Sequence, residues 1–211
     1  MIRPPLMAYF SAASFLVPAS VSLFFWKKLN VPLKILSVFF CFSVIHEIVT
    51  FVLGFMHMHN QFLSNFYQLV EFSCFIYLYF RWSQNSKLKD AMQYVGLAYL
   101  IFWLINKTYY EDATVFNDII ATVALFILLV TSIIVLRNVL QNTSIPLTDQ
   151  TMFWIASGVL LYSSMTIILL TMSNTILEMG MSYFDALWHI NWVSTIIANL
   201  FFTRSFWCKT F

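Results

Sequence analysis

Phe24-Phe25-Trp26-Lys27-Lys28-Leu29-Asn30-Val31-Pro32-Leu33-Lys34 is the stretch that decides the fold. Two long apolar runs meet in it, and three lysines stand at the seam. The pattern then repeats outward. Arg81, Lys87 and Lys89 stand between the third and fourth apolar runs, Arg137 follows the fifth, and Arg204 and Lys209 follow the seventh. Only Arg3 and Lys107 occupy the opposite ends. Basic residues that flank membrane segments are retained on the cytoplasmic side. The pattern therefore predicts an all-α polytopic membrane protein, one seven-helix transmembrane domain over residues 1–211, with its N-terminus outside and its C-terminus inside.

Composition agrees. Charged residues are 9% of the chain and apolar ones 61%, whereas an average soluble domain carries roughly 25% charged residues. The net charge of +2 is spread over one rim rather than gathered in a phosphate-binding patch, so nucleic acid is not an expected partner. Membrane lipid is. Cys41, Cys74 and Cys208 fall within spans or at the inner end of one, where they read as packing residues.

An apolar helix needs about 20 residues to cross the hydrocarbon core. The expected spans are Leu6–Trp26, Leu33–Met56, Phe62–Trp82, Leu88–Ile105, Val115–Leu136, Met152–Met172 and Tyr183–Phe206. The first runs on past the small residues Pro18, Ala19 and Ser20 to the Lys27-Lys28 pair, too long for the core of a signal peptide, so it reads as a retained anchor. Pro18 is expected to kink it. Short connections make consecutive spans antiparallel neighbours, with longer loops expected only at Gln141–Asp149 and Ser173–Met181. Thr148 or Asp149 is placed to cap span 6. Trp26, Trp82, Trp103, Tyr109, Tyr110, Trp154, Tyr183, Trp188 and Trp207 crowd towards span ends as an interfacial belt.

Ionisable groups at membrane depth are rare, each costing about 2.5–3.5 kcal/mol near the bilayer centre on insertion scales. Span 2 nevertheless carries His46 and Glu47, span 3 carries Glu71, and span 7 carries His189 with Asn191 and Asn199. At about 1.5 Å rise per residue, Glu47 and Glu71 lie at matching depths of roughly 15 and 14 Å below the outer ends of their helices, and His189 roughly 9 Å in. Ser43, Glu47, Thr50 and Gly54 form one stripe of span 2. Ser64, Tyr67, Gln68, Glu71 and Cys74 form one on span 3, and Asp185, His189, Trp192 and Asn199 one on span 7, with Asn191 and Thr195 alongside. Facing inward, these stripes would line a polar pocket in the outer half, roofed by Asn117 and Asp118 of span 5. The competing reading is adhesion, since small and polar stripes also join membrane helices by close packing and interhelical hydrogen bonds.

Three chemistries fit such a pocket. A sensor would use carboxylates and imidazoles for recognition, with Glu47, Glu71, His46, His189, Tyr67 and Asn191 as its ligand-binding residues. It would signal through a partner in the membrane or on the cytoplasmic rim, since the chain has no output domain. A proton-coupled carrier would titrate Glu47 and Glu71. A metal-dependent hydrolase would need three protein ligands and a water, for which His46, Glu71 and His189 are the buried candidates. Zinc amidases of the ceramidase superfamily place a His-x-x-x-His pair on the last helix, but here Val193 follows His189 at i+4. Met56-His57-Met58-His59 would suit capture of a soft metal ion at the outer mouth. The last span has no mid-span lysine for a retinal Schiff base, and there is no Gly-x-Ser-x-Gly motif or phosphate-binding glycine loop. The sequence implies no cofactor and favours the non-enzymatic sensor or small-ligand-binding protein.

Asn65-Phe66-Tyr67-Gln68-Leu69-Val70-Glu71, the run from Met152 to Tyr162, and Leu187-Trp188-His189-Ile190-Asn191 resemble small, uncharacterised seven-helix inner-membrane proteins of Bacteroidota. The resemblance covers nearly the whole chain and implies seven spans in a Gram-negative inner membrane. It brings no activity and assigns no residue a role. In its second segment Gly158 with Tyr162 reads as a close helix contact.

Overall fold

The computed structural model of the protein describes residues 5–56, 58, 60–83, 85–109, 119–141, 146–179 and 181–208. Eight α-helical segments follow one another: α1 (Leu6–Ser14), α2 (Leu16–Phe24), α3 (Val31–Phe55), α4 (Gln61–Trp82), α5 (Ser86–Tyr109), α6 (Ile119–Gln141), α7 (Thr151–Met179) and α8 (Met181–Ser205). Trp26–Lys28 and Leu147–Asp149 are single 3-10 turns, and the described residues include no β-strand. Five stretches are long and apolar enough to cross a membrane: Leu6–Phe24, Val31–Phe55, Ser86–Thr108, Ile119–Gln141 and Thr151–Met172. That composition is compatible with an integral membrane protein. The helices α4 and α8, of 22 and 25 residues, have the length as well. Their hydropathy is lowered by inward-facing polar residues, Asn65 and Glu71 on one and Asn191, Ser194, Thr195 and Asn199 on the other.

Local chemistry sets the helix ends. Pro18 has no amide hydrogen for the Ser14 carbonyl, and its ring crowds that carbonyl. The first rod breaks there, between α1 and α2, as the sequence predicts. After the lysine pair, the Asn30 side chain accepts from the Leu33 amide at 3.1 Å and Pro32 occupies the first turn, so α3 starts at Val31. The expected loop at Ser173–Met181 is instead almost wholly helix, α7 running to Met179. Ser173, Asn174 and Thr175 are polar enough for a surface loop, but no proline or glycine interrupts the backbone before Gly180.

The helices close on themselves. The α7–α8 pair packs along its length, α8 returns to α1 and α2, α2 meets α3, α3 meets α4, and α4 meets both α5 and α6. Consecutive helices are neighbours as expected, except that α5 barely touches α6. Instead α4 is the hub. Its Tyr79 reaches Ser132 of α6 at 2.8 Å, and its Phe72 ring packs on Tyr99 of α5 with centroids 4.0 Å apart.

Apolar side chains cover the outside of the bundle as well as its core, and polar ones share the interior. On α8, Ile190, Val193, Ile197 and Leu200 are exposed while Asn191, Ser194, Thr195, Ala198 and Asn199 are buried. On α3, Ile45, Ile48, Val52 and Phe55 face out while Phe39, Phe40, Ser43 and His46 are buried. Spacings of three, four and seven place each set on one helix face. A surrounding apolar medium rewards this arrangement, because it leaves the buried polar groups to one another.

Candidate functional site: a wide cavity and a narrow one behind it

Buried hydroxyls join the helices by one recurring device. Ser43 Oγ donates to the Phe39 carbonyl of its own helix at 2.9 Å, so its 3.1 Å contact with Tyr67 has the tyrosine as donor. Ser132 donates to Leu128 at 2.7 Å and in the same way accepts from Tyr79. Ser22 donates to Ala19 and accepts from Ser37 at 2.7 Å, and Ser14 donates to Ser11 and accepts from Asn199 Nδ2 at 2.7 Å. Each serine spends its one proton within its helix and offers a lone pair to the neighbour. Between α7 and α8, the Thr166 hydroxyl lies 2.9 Å from Asn191 Oδ1. For these residues the adhesion reading holds.

Other polar residues surround open space. A cavity of about 880 Å³ lies between α1, α3, α4, α7 and α8. Its described walls include Glu47, Thr50 and Gly54 of α3, Tyr67 of α4, Tyr162 of α7, and Trp188, Asn191, Trp192 and Thr195 of α8. Tyr9 of α1 stacks on Phe51 of α3 at 5.1 Å along another wall. That volume lies in the range of small-molecule sites. Glu47 is the one carboxylate among the described lining residues, which include no lysine, arginine or histidine.

Behind it, a second cavity of about 20 Å³ has room for one water. Phe15, Tyr162 and Thr195 line both spaces. Glu71 lines the inner one and is 7% exposed, among Phe39, Phe40, Phe75 and Phe202. Tyr162 lines both spaces, so it borders the cavity of Glu47 on one side and that of Glu71 on the other.

The six residues singled out from sequence are therefore distributed unequally. Glu47, Tyr67 and Asn191 line the wide cavity, and Glu71 the narrow one. His46 is buried against Tyr67, ring centroids 4.2 Å apart, with Nδ1 3.9 Å from Glu47 Oε1 and neither ring nitrogen hydrogen-bonded. His189 is exposed beside Trp192 and outside the described walls. His189 and Asn191 stand about 200° apart around one helix, so α8 cannot turn both inward. Its inner stripe among the described side chains is Asn191–Thr195–Asn199, rather than one that includes His189. Gln68 leaves the stripe of α4 as well, its Oε1 buried without a partner and away from the cavity.

His46, Glu71 and His189 thus occupy three different surroundings, and no group of three His, Cys, Asp or Glu among the described residues could hold a metal ion. The proposed roof, Asn117 and Asp118, lies outside the described residues, as do His57, His59 and the side chain of Asp185. Sequence reading missed the α1 wall and Tyr162. The signal for α1 was Ala8, Ser11 and Ala12, small residues at i, i+3 and i+4 that let another helix approach. Trp188, read as an interfacial anchor, lines the cavity.

The chain matches no protein-family model, no curated protein sequence and no solved structure.

Proposed function

We propose that the protein spans a bacterial inner membrane seven times, N-terminus outside and C-terminus inside, and binds a small ligand from the outer side as a non-enzymatic sensor. The cavity of about 880 Å³ carries this reading. It is walled by Gly54 and Phe55 at the C-terminal end of α3 and by Asn60 at the start of α4, the opposite end of α3 from Lys27 and Lys28. Basic residues mark the cytoplasmic rim, so the cavity belongs to the outer half. Seven rods of nearly the expected bounds support seven spans. A ligand's effect would pass to a partner at the cytoplasmic rim or within the membrane.

Gly54 provides the test. A Cβ added there meets nothing within 4 Å, and its backbone is helical, so leucine at this position enters the cavity without backbone strain. Wild type and Gly54→Leu are compared by thermal unfolding in detergent against a panel of cationic, neutral and anionic amphiphiles. The expected result is that at least one compound raises the Tm of wild type and not of Gly54→Leu. Equal responses in the two proteins, or none in wild type, would overturn the reading.

A further inference from the structure

We infer that the ligand of the wide cavity is an organic cation bearing apolar substituents, an inference that rests on the binding function proposed above. Charge comes first. Glu47 is the one carboxylate among the described lining residues, which include no basic side chain. The adjacent imidazole of His46 holds Nδ1 at 3.9 Å from Oε1, within ion-pair range but too far for a hydrogen bond. Tyr67, the lining phenol of α4, gives its proton to Ser43 instead. Among the described residues the carboxylate thus keeps its hydrogen-bonding positions for an incoming group. Helix dipoles do not change the sign, because the C-terminal end of α3 and the N-terminal end of α4 meet at the same mouth with opposite partial charges.

The walls point the same way. Tyr9, Phe51, Tyr67, Tyr162, Trp188 and Trp192 line the space. An aromatic face is the negative part of its quadrupole and attracts a cation within about 6 Å, most strongly in a desolvated site. Trp188 and Trp192, with centroids 6.3 Å apart, form a two-ring wall. An anion would meet a like charge in Glu47. A neutral apolar ligand would leave Glu47 desolvated without compensation. A cation with apolar substituents satisfies the carboxylate and the rings together.

Two rigid ions of the same shape and opposite charge, tetraphenylphosphonium and tetraphenylborate, separate charge from apolarity. Each is titrated calorimetrically into the full-length protein in lipid nanodiscs, with protein-free nanodiscs subtracted. The phosphonium is expected to bind wild type about tenfold more tightly than the borate, or better, about 1.4 kcal/mol or more. Glu47→Gln should erase that preference while Glu47→Asp keeps most of it, and Trp188→Leu should weaken the phosphonium more than the borate. Equal binding of the two ions, tighter binding of the borate, or a preference untouched by Glu47→Gln would overturn the cation inference. The binding function would survive that result if Gly54→Leu still abolished the binding seen. Failure of both ions to bind wild type would also overturn the inference, whereas the binding function falls only if no compound of the amphiphile panel distinguishes wild type from Gly54→Leu.

Discussion

Asn199 donates to the Ser14 hydroxyl at 2.7 Å across 185 residues of chain, tying the last helix to the first. Asn199 is 2% exposed and lines the narrow cavity, so truncation would leave Ser14 without this donor in a place bulk water does not reach. Interhelical hydrogen bonds in membrane proteins average about 0.6 kcal/mol and reach about 1.7. Asn199→Leu should therefore lower stability by about 1 kcal/mol, seen as a lower Tm in detergent. Ser14→Ala should cost at least as much alone, because it leaves the buried Asn199 amide without this acceptor, and the double variant should lie close to Asn199→Leu, because both substitutions remove one bond. Full additivity in the double-mutant cycle would show that the pair does not interact.

Two glycines should respond in opposite ways. A Cβ on Gly158 would lie 2.8 Å from Phe202 Cε1, and the Phe202 ring is held between Phe40 and Phe75, with centroids at 5.4 and 5.5 Å. That ring cannot retreat without moving the core, and overpacking of this kind costs about 1–3 kcal/mol. Gly158→Ala should lower the Tm, and adding Phe202→Leu should recover much of the loss. Gly54→Ala meets open space and removes a helical glycine, so its Tm should equal or exceed that of wild type. A neutral Gly158→Ala would mean that α7 and α8 are not in this contact.

How much of this was legible depended on period and punctuation. Pro18 announced the break in the first rod, and the lysine pair with Asn30 and Pro32 announced the start of α3, because those effects are local to the backbone. Gly158 announced a close helix contact without naming Phe202 as the other side. Glu47, Tyr67 and Asn191 were legible as inward residues because an ionised or polar group facing lipid is costly. His189 was not, since a residue near a helix end can reach the surface whichever way its helix is turned. The rotation of α8 was fixed by partners far away in sequence, Thr166 and Ser14. The α5–α6 neighbourhood failed because chain order sets only who can be adjacent, while Tyr79 and Ser132 decide that α4 takes the place beside α6.

The Tyr79–Ser132 contact predicts an asymmetry. Both residues are fully buried, and Ser132 donates its only proton to the Leu128 carbonyl at 2.7 Å. Tyr79→Phe removes a donor and leaves Ser132 satisfied within its own helix. Ser132→Ala instead leaves the tyrosine hydroxyl buried without an acceptor, the more expensive error, at about 1–3 kcal/mol. Unfolding measurements should therefore rank Ser132→Ala clearly below Tyr79→Phe, with the double variant close to Tyr79→Phe. The reverse ranking would mean that the serine is the donor in this bond.

Cys208 gives a native test of the proposed orientation. It follows the end of α8, where its Sγ lies 3.4 Å from the Arg204 carbonyl and 3.5 Å from that of Thr148, which also accepts from Trp154 Nε1 at 2.9 Å. Thr148 thus serves this end of the bundle through its carbonyl. Burial pushes the Cys208 thiol above its ordinary value, with the nearby Arg204 pulling less strongly the other way. The thiolate is the reactive species, so labelling should be slow at neutral pH and accelerate as pH rises through and beyond the usual thiol range. With the C-terminus inside, a membrane-permeant maleimide should modify intact cells at this residue and a charged, impermeant one should not, while both should act on inverted vesicles. Cys208→Ser isolates this signal from Cys41 and Cys74, which lie within α3 and α4. Labelling of intact cells by the impermeant reagent, absent in Cys208→Ser, would place the C-terminus outside and move the wide cavity to the cytoplasmic half.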